Sequence, residues 1–387
     1  MIKNTKFKNL IFFMLTAGLC VISGCGSKDS NIEDEIKPLK AMELDYADQF
    51  SCDYYDGGYK HIHIADGTDY VLVPEGGEDN DLGISDAVII HMPVQDIYLA
   101  ASSAMDLFVQ LDSLDKIGTC STTADDYSIE EAKALIEDGT IKYVGKYSAP
   151  DYESIINTKC NLTIESTMIT HSPEIKEEIE KLGIPVLVER SSYESSPMGR
   201  LEWIKLYGAL LGKEDEARGF FDGEKEKLEK ISEELDDELT DTSDKPTVAF
   251  FYVSANGYVN VRKPGDYIST MIDMAGGEYC LNGMADETDN ALSTMNINWE
   301  SFYASAKEAD IIIYNSTIDG GIKTVNDLLD KNELFADFEA VKNGNVYCTN
   351  TDMFQKSSGI VDVVVDLFRV MNKKDEDKLT YIYKLEN

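Results

Sequence analysis

Cys25 is the first residue of this sequence whose side chain predicts a specific chemistry. It directly follows Ser23 and Gly24, at the end of an apolar run over 10–22 that begins after three lysines. A basic start, a short apolar core and small residues before the cut are typical of a secretory signal, and this core is shorter than the roughly 20 residues of a membrane span. Small residues placed immediately before cysteine indicate cleavage in front of Cys25 and a diacylglyceryl thioether on its sulfur. Since two acyl chains give stable membrane binding and one does not, we predict a lipid-anchored protein on the extracytoplasmic face of the cell membrane. The alternative is a plain signal peptide with a chance cysteine.

Candidates for catalytic or metal chemistry are few. The sequence has no G-x-S-x-G, P-loop or dinucleotide-binding motif, so we predict that it is not an enzyme. A lipoprotein enzyme that uses an α/β cleft is the alternative. The four histidines are His61, His63, His91 and His171. His61 and His63 share one strand face, but a metal site needs several ligands that converge on one point. We therefore predict two exposed strand histidines, no metal site and no cofactor.

The balance of charge excludes one class of partner and makes the arginines informative. The net charge is −37, from 72 acidic and 35 basic residues, whereas nucleic-acid binding needs basic patches. We therefore predict no nucleic-acid partner. Arg190 and Arg262 lie in loops that follow predicted strands, and guanidinium groups suit bidentate capture of carboxylates or catecholates. For either arginine alone, a structural salt bridge is an equally good interpretation.

Short apolar strands alternate with helical patterns along most of the chain. The predicted strands are Tyr70–Val73, Ala87–His91, Asn161–Glu165, Pro185–Glu189, Thr247–Val253, Asp310–Tyr314 and Asn345–Cys348. The predicted helices are Ser128–Asp138, Asp151–Thr158, Pro173–Leu182, Asn298–Ala306 and Val325–Leu329. Such alternation favours parallel α/β sheets. Between two such regions, apolar residues repeat at helical spacing over Gly199–Leu211 and Glu214–Leu235, with Gly212 between them. The fold prediction is therefore α/β, with two lobes joined by one long helix.

These patterns divide the chain into five parts. Residues 1–24 are the predicted signal peptide, 25–40 a lipidated tether, 41–198 the first α/β lobe, 199–239 the bridging helical segment and 240–387 the second α/β lobe. The chain has 387 residues, and a single hydrophobic core stops growing at roughly 250–300 residues. Length and pattern thus agree on two lobes.

Five cysteines remain beyond the lipidation position: Cys52, Cys120, Cys160, Cys280 and Cys348. An odd number at wide spacing, without C-x-x-C, is a poor disulfide framework and a poor metal site. We predict mostly buried core thiols, with at most one or two disulfide pairs.

The two lobes contain a similar short unit. The run DYESI at 151–155 precedes the strand predicted at 161–165, and the run NWESF at 298–302 precedes the strand predicted at 310–314. Each unit is a polar residue, an aromatic residue, Glu, Ser and an apolar residue, followed by a strand and Ser-Thr. Matching units suggest a pseudo-symmetric pair of lobes with a cleft between them, and chance similarity is the alternative.

Several segments together resemble the substrate-binding lipoproteins of ABC importers for iron chelates and cobalamin. The resemblance covers roughly 85–370 and rests on the helix–Gly–strand step at 182–188, the entry into the helical segment at 192–208, the Ala-Gly-Gly turn at 275–277 and the helix–turn–strand run at 340–347. It implies two pseudo-symmetric α/β lobes bridged by one long helix, with the ligand cleft between them. It also implies capture of a small-molecule chelate and its delivery to an ABC permease and its ATPase. Residues 42–84 depart from the family pattern and are not assigned.

The resemblance implies ligand contacts in loops at the strand ends that face the cleft. The positions predicted on this basis are Tyr98, Ser102, Met168, Arg190, Tyr193, Tyr258, Arg262, Phe354 and Gln355. In this family a glutamate at the outer tip of each lobe docks on the permease, and Glu153 and Glu300 match it. Helix capping is the alternative, since acids favour the first turn of a helix. The leading functional prediction is a receptor for an iron chelate, a ferric siderophore, with cobalamin or haem as alternatives.

Overall fold

Short strands and helices alternate over the residues that the computed structural model describes, which are 37–79, 82–238, 245–284, 294–316 and 320–387. The predicted signal peptide, Cys25 and most of the predicted tether lie outside these residues. Within the described ranges, no helix combines the length and the apolar character that crossing a membrane requires.

An N-terminal five-stranded sheet precedes the first lobe, and the sequence patterns predict only two of its strands. The strands, in spatial order, are β1 (Lys40–Ala41), β2 (Phe50–Tyr54), β3 (Lys60–Ile64), β4 (Asp69–Val73) and β5 (Val88–His91). Neighbours are antiparallel, except that β4 and β5 are parallel. Since side chains alternate between the faces of a sheet, Ile62, Tyr70 and Ile90 enter the main core from one face.

Two buried glutamates fasten the segment before β2 to the helical part of the chain. The Glu202 carboxylate accepts hydrogen bonds from the backbone N–H groups of residues 45–47 at 2.8–3.1 Å. Glu194 accepts hydrogen bonds from the N–H groups of residues 48 and 49 at 3.1 Å and from the Trp203 indole at 2.9 Å. A buried carboxylate needs such partners or a counter-charge, and Lys205 Nζ lies 2.7 Å from Glu202. The N-terminal sheet is thus tied to the helices by specific hydrogen bonds.

A fully parallel five-stranded sheet forms the centre of the first lobe. Its strands are β6 (Ile97–Leu99), β7 (Ile117–Cys120), β8 (Lys142–Tyr143), β9 (Thr163–Ser166) and β10 (Val186–Glu189), in the spatial order β10-β9-β6-β7-β8. Parallel pairs need crossover connections, which contain α1 (Met105–Gln110), α2 (Glu130–Glu137), α3 (Tyr152–Asn157) and α4 (Pro173–Lys181). The sequence patterns predict β9 and β10 but not β6, β7 or β8.

The predicted helical segment consists of two helices, α5 (Pro197–Leu211) and α6 (Glu214–Glu238). Gly212 ends α5 with φ of +68°, a left-handed conformation that glycine adopts without strain. The helices then approach closely, because a Cβ added at Gly208 would lie 2.6 Å from the Cβ of Ala217. The segment is therefore a packed pair of helices that changes direction at Gly212.

The second lobe contains a seven-stranded mixed sheet. Its strands are β11 (Thr247–Val253), β12 (Val259–Arg262), β13 (Glu278–Tyr279), β14 (Thr294–Ile297), β15 (Ile311–Tyr314), β16 (Val346–Thr349) and β17 (Ile382–Lys384). The spatial order is β14-β12-β11-β15-β16-β17, with β13 also beside β11. The central strands β11, β15 and β16 are parallel, and the sequence patterns predict all three. The helices of this lobe are α7 (Tyr267–Met274), α8 (Trp299–Ala306), α9 (Val325–Lys331), α10 (Glu339–Lys342) and α11 (Ile360–Asn372).

One continuous hydrophobic core runs through residues 38–387, which form one compact unit. It joins Leu99 of the first lobe, Trp203 of α5 and Phe251 of the second lobe. A smaller core around Tyr98 and Val186 lies on the other face of the first-lobe sheet. The predicted burial of the cysteines is confirmed for Cys52, Cys120, Cys160 and Cys348, while Cys280 is half-buried.

Candidate functional site

Both lobes carry loops at the carboxyl ends of their parallel strands. Ligands of open α/β sheets bind in the crevice outside these ends. The loops follow β6, β7, β9 and β10 in the first lobe and β11, β15 and β16 in the second. Seven of the predicted ligand residues lie in these loops: Ser102, Met168, Arg190, Tyr193, Tyr258, Phe354 and Gln355.

Arg190 directly follows β10 and stacks on Tyr193. The Arg190 Cζ lies 4.1 Å from the centroid of the Tyr193 ring, because a 3₁₀ turn over Ser191–Tyr193 brings the two side chains together. A guanidinium over a ring face is held by cation–π attraction. The Arg190 Nε has no hydrogen-bond partner among the described residues. The stacking therefore orients this cation while one of its donors stays unused by the protein.

Arg262 ends β12 and is only 8% exposed. Its Cζ lies 5.0 Å from the Phe354 ring centroid and 5.6 Å from that of Tyr267. Its Nη1 lies 3.8 Å from the Asp266 carboxylate, whose other oxygen accepts a hydrogen bond at the start of α7. Arg262 thus has both a structural ion pair and an aromatic enclosure.

Arg200 brings a third guanidinium to the same region, and sequence reasoning missed it. It lies near the start of α5, with its Cζ 4.1 Å from the Tyr267 ring centroid. Tyr267 opens α7, so its ring contacts one guanidinium from α5 and one, that of Arg262, from the second lobe. Cations are unfavourable near a helix N-terminus. That placement is the sequence signal that could have identified Arg200.

Two acidic groups lie beside these cations. Glu189, at the end of β10, is buried and accepts the Ser191 N–H at 3.0 Å. Burial raises the pKa of Glu189, and the charge of Arg200 opposes the rise. Asp266 lies beside Arg262, so the two guanidinium groups that share the Tyr267 ring are accompanied by two carboxyl groups. Arg190, directly after Glu189, adds a further positive charge in the loop after β10.

Apolar surface accompanies the cations at the edges of both lobes. Met168 follows β9 and is 48% exposed, and Tyr258 lies in the turn between β11 and β12 and is 52% exposed. Tyr193, Phe354 and Ser102 are half-buried in their loops. Binding sites combine apolar walls with a few polar groups, and this set supplies both.

Tyr98 is a correction to the predicted site. It lies inside β6, is fully buried and belongs to the smaller core. The sequence patterns treat residues after His91 as a loop, whereas Ile97–Leu99 pairs with β7 and β9. Since the ring of Tyr98 packs under the sheet, it has no access to a ligand in the cleft.

Gln355 is the second correction, because its side-chain amide is already bonded to the first lobe. Its Nε2 donates to the Asp126 carbonyl oxygen at 2.7 Å. Its Oε1 accepts the Ser128 N–H at 2.7 Å. Both ends of the amide are used, so Gln355 connects the lobes rather than presenting a free polar group to a ligand.

Glu153 and Glu300 are both exposed and both lie in the first turn of a short helix, α3 and α8. The caps are other residues: Asp151 accepts N–H groups in α3 at 3.1 and 3.2 Å, and Asn298 accepts one in α8 at 2.9 Å. Each helix starts at the edge of its sheet where the ligand loops lie, since α3 leads back to the start of β9 and β14 runs parallel to β11. The two glutamates therefore occupy equivalent places in the two lobes.

His61 and His63 share a carboxylate on the outer face of β3. His61 Nε2 and His63 Nδ1 lie 2.7 and 2.9 Å from the same Asp69 oxygen. His63 is exposed, as predicted, but His61 is half-buried. In the part of the chain that the structure describes, no group of three or more histidine, cysteine or acidic residues is placed to hold a metal ion.

The sequence is similar to two uncharacterized lipoproteins of Methanocaldococcus jannaschii. One is 26% identical over 357 residues, which cover 88% of this chain and 86% of the relative. The other is 25% identical over 403 residues, which cover 94% of this chain and 91% of the relative.

The fold is similar to solved periplasmic binding proteins. One from Veillonella parvula gives a TM-score of 0.59 at 15% identity, covering 84% of this chain and 98% of that protein. A periplasmic haem-binding protein from Pseudomonas aeruginosa gives 0.59 at 14% identity, with coverage of 76% and 99%. A petrobactin-binding protein from Bacillus subtilis gives 0.55 at 13% identity, with coverage of 73% and 93%. These TM-scores show a shared fold, which confirms the predicted two-lobed α/β architecture.

The model of the periplasmic binding protein family matches residues 100–353, about two thirds of the chain. The matched range contains α5, α6, the strands from β7 to β16 and all three arginines of the site. It confirms the family that the sequence segments resemble. This chain belongs to the periplasmic binding protein family, a family of substrate-binding proteins rather than of enzymes.

Proposed function

We propose that this protein is a lipid-anchored receptor on the extracytoplasmic face of the membrane that captures an anionic iron chelate of the ferric siderophore type and delivers it to an ABC permease. The observation that carries the proposal is a set of three guanidinium groups held against aromatic rings: Arg200 and Arg262 share the Tyr267 ring, and Arg190, directly after β10, stacks on Tyr193. Arg200 and Arg262 lie against the same ring, so their like charges repel each other, and an anionic ligand would offset that repulsion.

Two physical arguments favour an anionic, aromatic chelate. Guanidinium groups bind carboxylates and catecholates through paired hydrogen bonds, and they also stack on aromatic faces. Exposed Tyr258 and half-buried Tyr193 can pack on a planar ligand. A ferric catecholate combines negative charge with flat rings, which matches both properties of the loops.

Delivery to a permease is proposed from the placement of Glu153 and Glu300. Both are exposed, in equivalent helices of the two lobes, and neither is the N-cap of its helix. Both glutamates lie in the first turn of a helix, where an acid is favoured, so the proposal rests on their exposure and on their matching places in the two lobes. Two acidic points at one edge suit a partner that carries two basic points, as an ABC permease of this class would.

The lipid anchor is proposed from Cys25 and its preceding small residues. Two of the relatives are named lipoproteins, which supports the same processing here. Anchoring keeps the receptor near the permease at the outer face of the membrane.

Haem is the second candidate ligand. Met168 and Tyr258 are exposed in strand-end loops of opposite lobes, and both methionine and tyrosine serve as axial ligands of haem iron in proteins. The haem propionates would give the arginines their anionic partner. Cobalamin is a third possibility from the same class, and a cleft-containing lipoprotein enzyme is the alternative outside it.

Native mass spectrometry of the protein purified from its own host tests the proposal. We expect a non-covalent adduct whose mass and iron isotope pattern identify a ferric chelate, and which is lost on acid treatment. An adduct that is cationic and free of metal would contradict the chelate proposal as a whole. A haem mass would select the second candidate.

A further inference from the structure

Four hydrogen bonds join the loop after β16 to the first lobe, and they involve Gln355, Ser357 and Ser358. Gln355 bonds to Asp126 O and Ser128 N, as described above. The Ser357 hydroxyl donates to the Ser103 carbonyl oxygen at 2.7 Å. The Ser358 N–H donates to the buried Asp106 carboxylate at 2.7 Å. We refer to residues 355–358 as the clasp.

The clasp contacts the first lobe mainly through backbone groups of that lobe. Three of the four partners on the first lobe are backbone groups, in the loops that follow β6 and β7. Backbone groups have no rotamer freedom, and the Gln355 amide bonds on both sides of buried Tyr127. The position of Gln355 is therefore set by the first lobe, although its chain belongs to the second.

The residue before the clasp is Phe354, whose ring lies 5.0 Å from the Arg262 guanidinium. Because Phe354 and Gln355 are adjacent, the bonds of Gln355 to the first lobe also limit where the Phe354 ring can lie. Arg262 is enclosed by Phe354 and Tyr267. The location of this cation thus depends on contacts that cross from one lobe to the other.

We propose that Gln355 is a positioning residue for the binding site: its two hydrogen bonds to the first lobe hold Phe354 over Arg262 and so fix the second-lobe cation relative to Arg190 and Arg200. This inference rests on the proposed function, because it assumes that Arg262 binds the ligand. The contact geometry itself is a property of the ligand-free chain.

The test is made on ligand-free protein with four variants. Gln355→Ala removes the amide, and Gln355→Met keeps the length of the side chain without its hydrogen bonds. Gln110→Ala, an exposed glutamine of α1, is the matched control. Amide hydrogen exchange is followed at Ser128, whose N–H is bonded to Gln355. The ring-current shift of the Arg262 side chain is followed by NMR, and Phe354→Leu gives the size of that shift when the ring is absent.

We expect exchange at Ser128 to accelerate about fivefold to tenfold in both Gln355 variants, the effect of losing one net hydrogen bond, and to be unchanged in Gln110→Ala. The Arg262 resonance should move toward its position in Phe354→Leu in both Gln355 variants. A merely structural role of Gln355 would alter the melting temperature but leave the Arg262 resonance in place.

Either of two results overturns the proposal. Unchanged exchange at Ser128 in Gln355→Ala would show that the clasp does not form, and an unchanged Arg262 resonance would show that it does not position the cation. Neither result depends on a ligand. If both expected changes occur and the wild-type protein nevertheless binds no ferric tris-catecholate, the clasp stands and the proposed function fails.

Discussion

Glu165 is expected to make the protein less stable as pH rises through neutrality. This residue of β9 is fully buried, and neither carboxylate oxygen has a hydrogen-bond partner among the described residues. Tyr98 of β6 pairs with Thr163, so its unpartnered hydroxyl lies on the same face of the sheet as Glu165. Desolvation without compensation disfavours the ionised form, and burial raises the pKa of Glu165 from 4.5 to about 8.

The direction in which stability changes with pH depends on the pH at which Glu165 loses its proton in the unfolded and in the folded state. The unfolded chain releases it near pH 4.5 and the folded protein near pH 8. Between these values the folded state binds more protons, so the free energy of unfolding falls as pH rises. Each pKa unit corresponds to about 1.4 kcal/mol. The loss of stability is therefore about 3 kcal/mol at pH 7 and approaches about 5 kcal/mol above pH 8.

Replacing Glu165 with glutamine removes the titration and keeps the shape of the side chain. Urea unfolding of wild type and Glu165→Gln at pH 4.5, 7 and 9 gives the free energy of unfolding at each pH. At each pH the free energy of unfolding of wild type is subtracted from that of the variant. This difference should be about 3 kcal/mol larger at pH 7 than at pH 4.5. Glu153→Gln, which changes an exposed glutamate, controls for the loss of one acidic group. The argument is refuted if the difference between wild type and Glu165→Gln is the same at all three pH values.

Three other predictions concern the ligand, the permease and the anchor. Arg190→Ala and Arg262→Ala should each weaken ferric tris-catecholate binding by about 1.5–3 kcal/mol, the range for hydrogen bonds to charged groups; calorimetry that finds unchanged affinity would remove that arginine from the site. Changing Glu153 and Glu300 together to alanine should leave ligand affinity and melting temperature nearly unchanged, because exposed charges contribute little to either, yet reduce uptake in cells more than either single change; normal uptake in the double variant would contradict docking. Cys25→Ala should abolish lipid attachment, and a membrane fraction that still contains the mature, lipid-bearing form would exclude this cysteine as the anchor.

The central strands were predictable because their sequences are continuous apolar runs. β11 and β15 are flanked by polar residues and buried on both faces, which is the pattern of a parallel sheet. The repeat around Glu153 and Glu300 was also visible in the sequence, since each unit combines an Asp or Asn cap with the start of a helix.

The errors in the predicted site come from contacts between distant parts of the chain. The three residues of β6 are too few for a periodic pattern, so Tyr98 was interpreted as a loop residue. The bonds of Gln355 join positions more than 200 residues apart, and local sequence carries no sign of them. Arg200 was overlooked because its partner, Tyr267, lies on a different helix. Helix and strand patterns thus located the loops, whereas the side chains that meet there required the tertiary structure.

Calorimetric titration of the purified protein with ferric tris-catecholate, haemin and cyanocobalamin tests the central claim most directly. Arg218→Ala is the matched control for the arginine variants, because Arg218 is exposed on α6 and pairs with Asp215. The account predicts one saturable site per chain that prefers ferric tris-catecholate, that is weakened in Arg190→Ala and Arg262→Ala, and that is unchanged in Arg218→Ala. The account is contradicted if none of the three compounds shows saturable binding. It is also contradicted if Arg190→Ala and Arg262→Ala bind ferric tris-catecholate as tightly as wild type does.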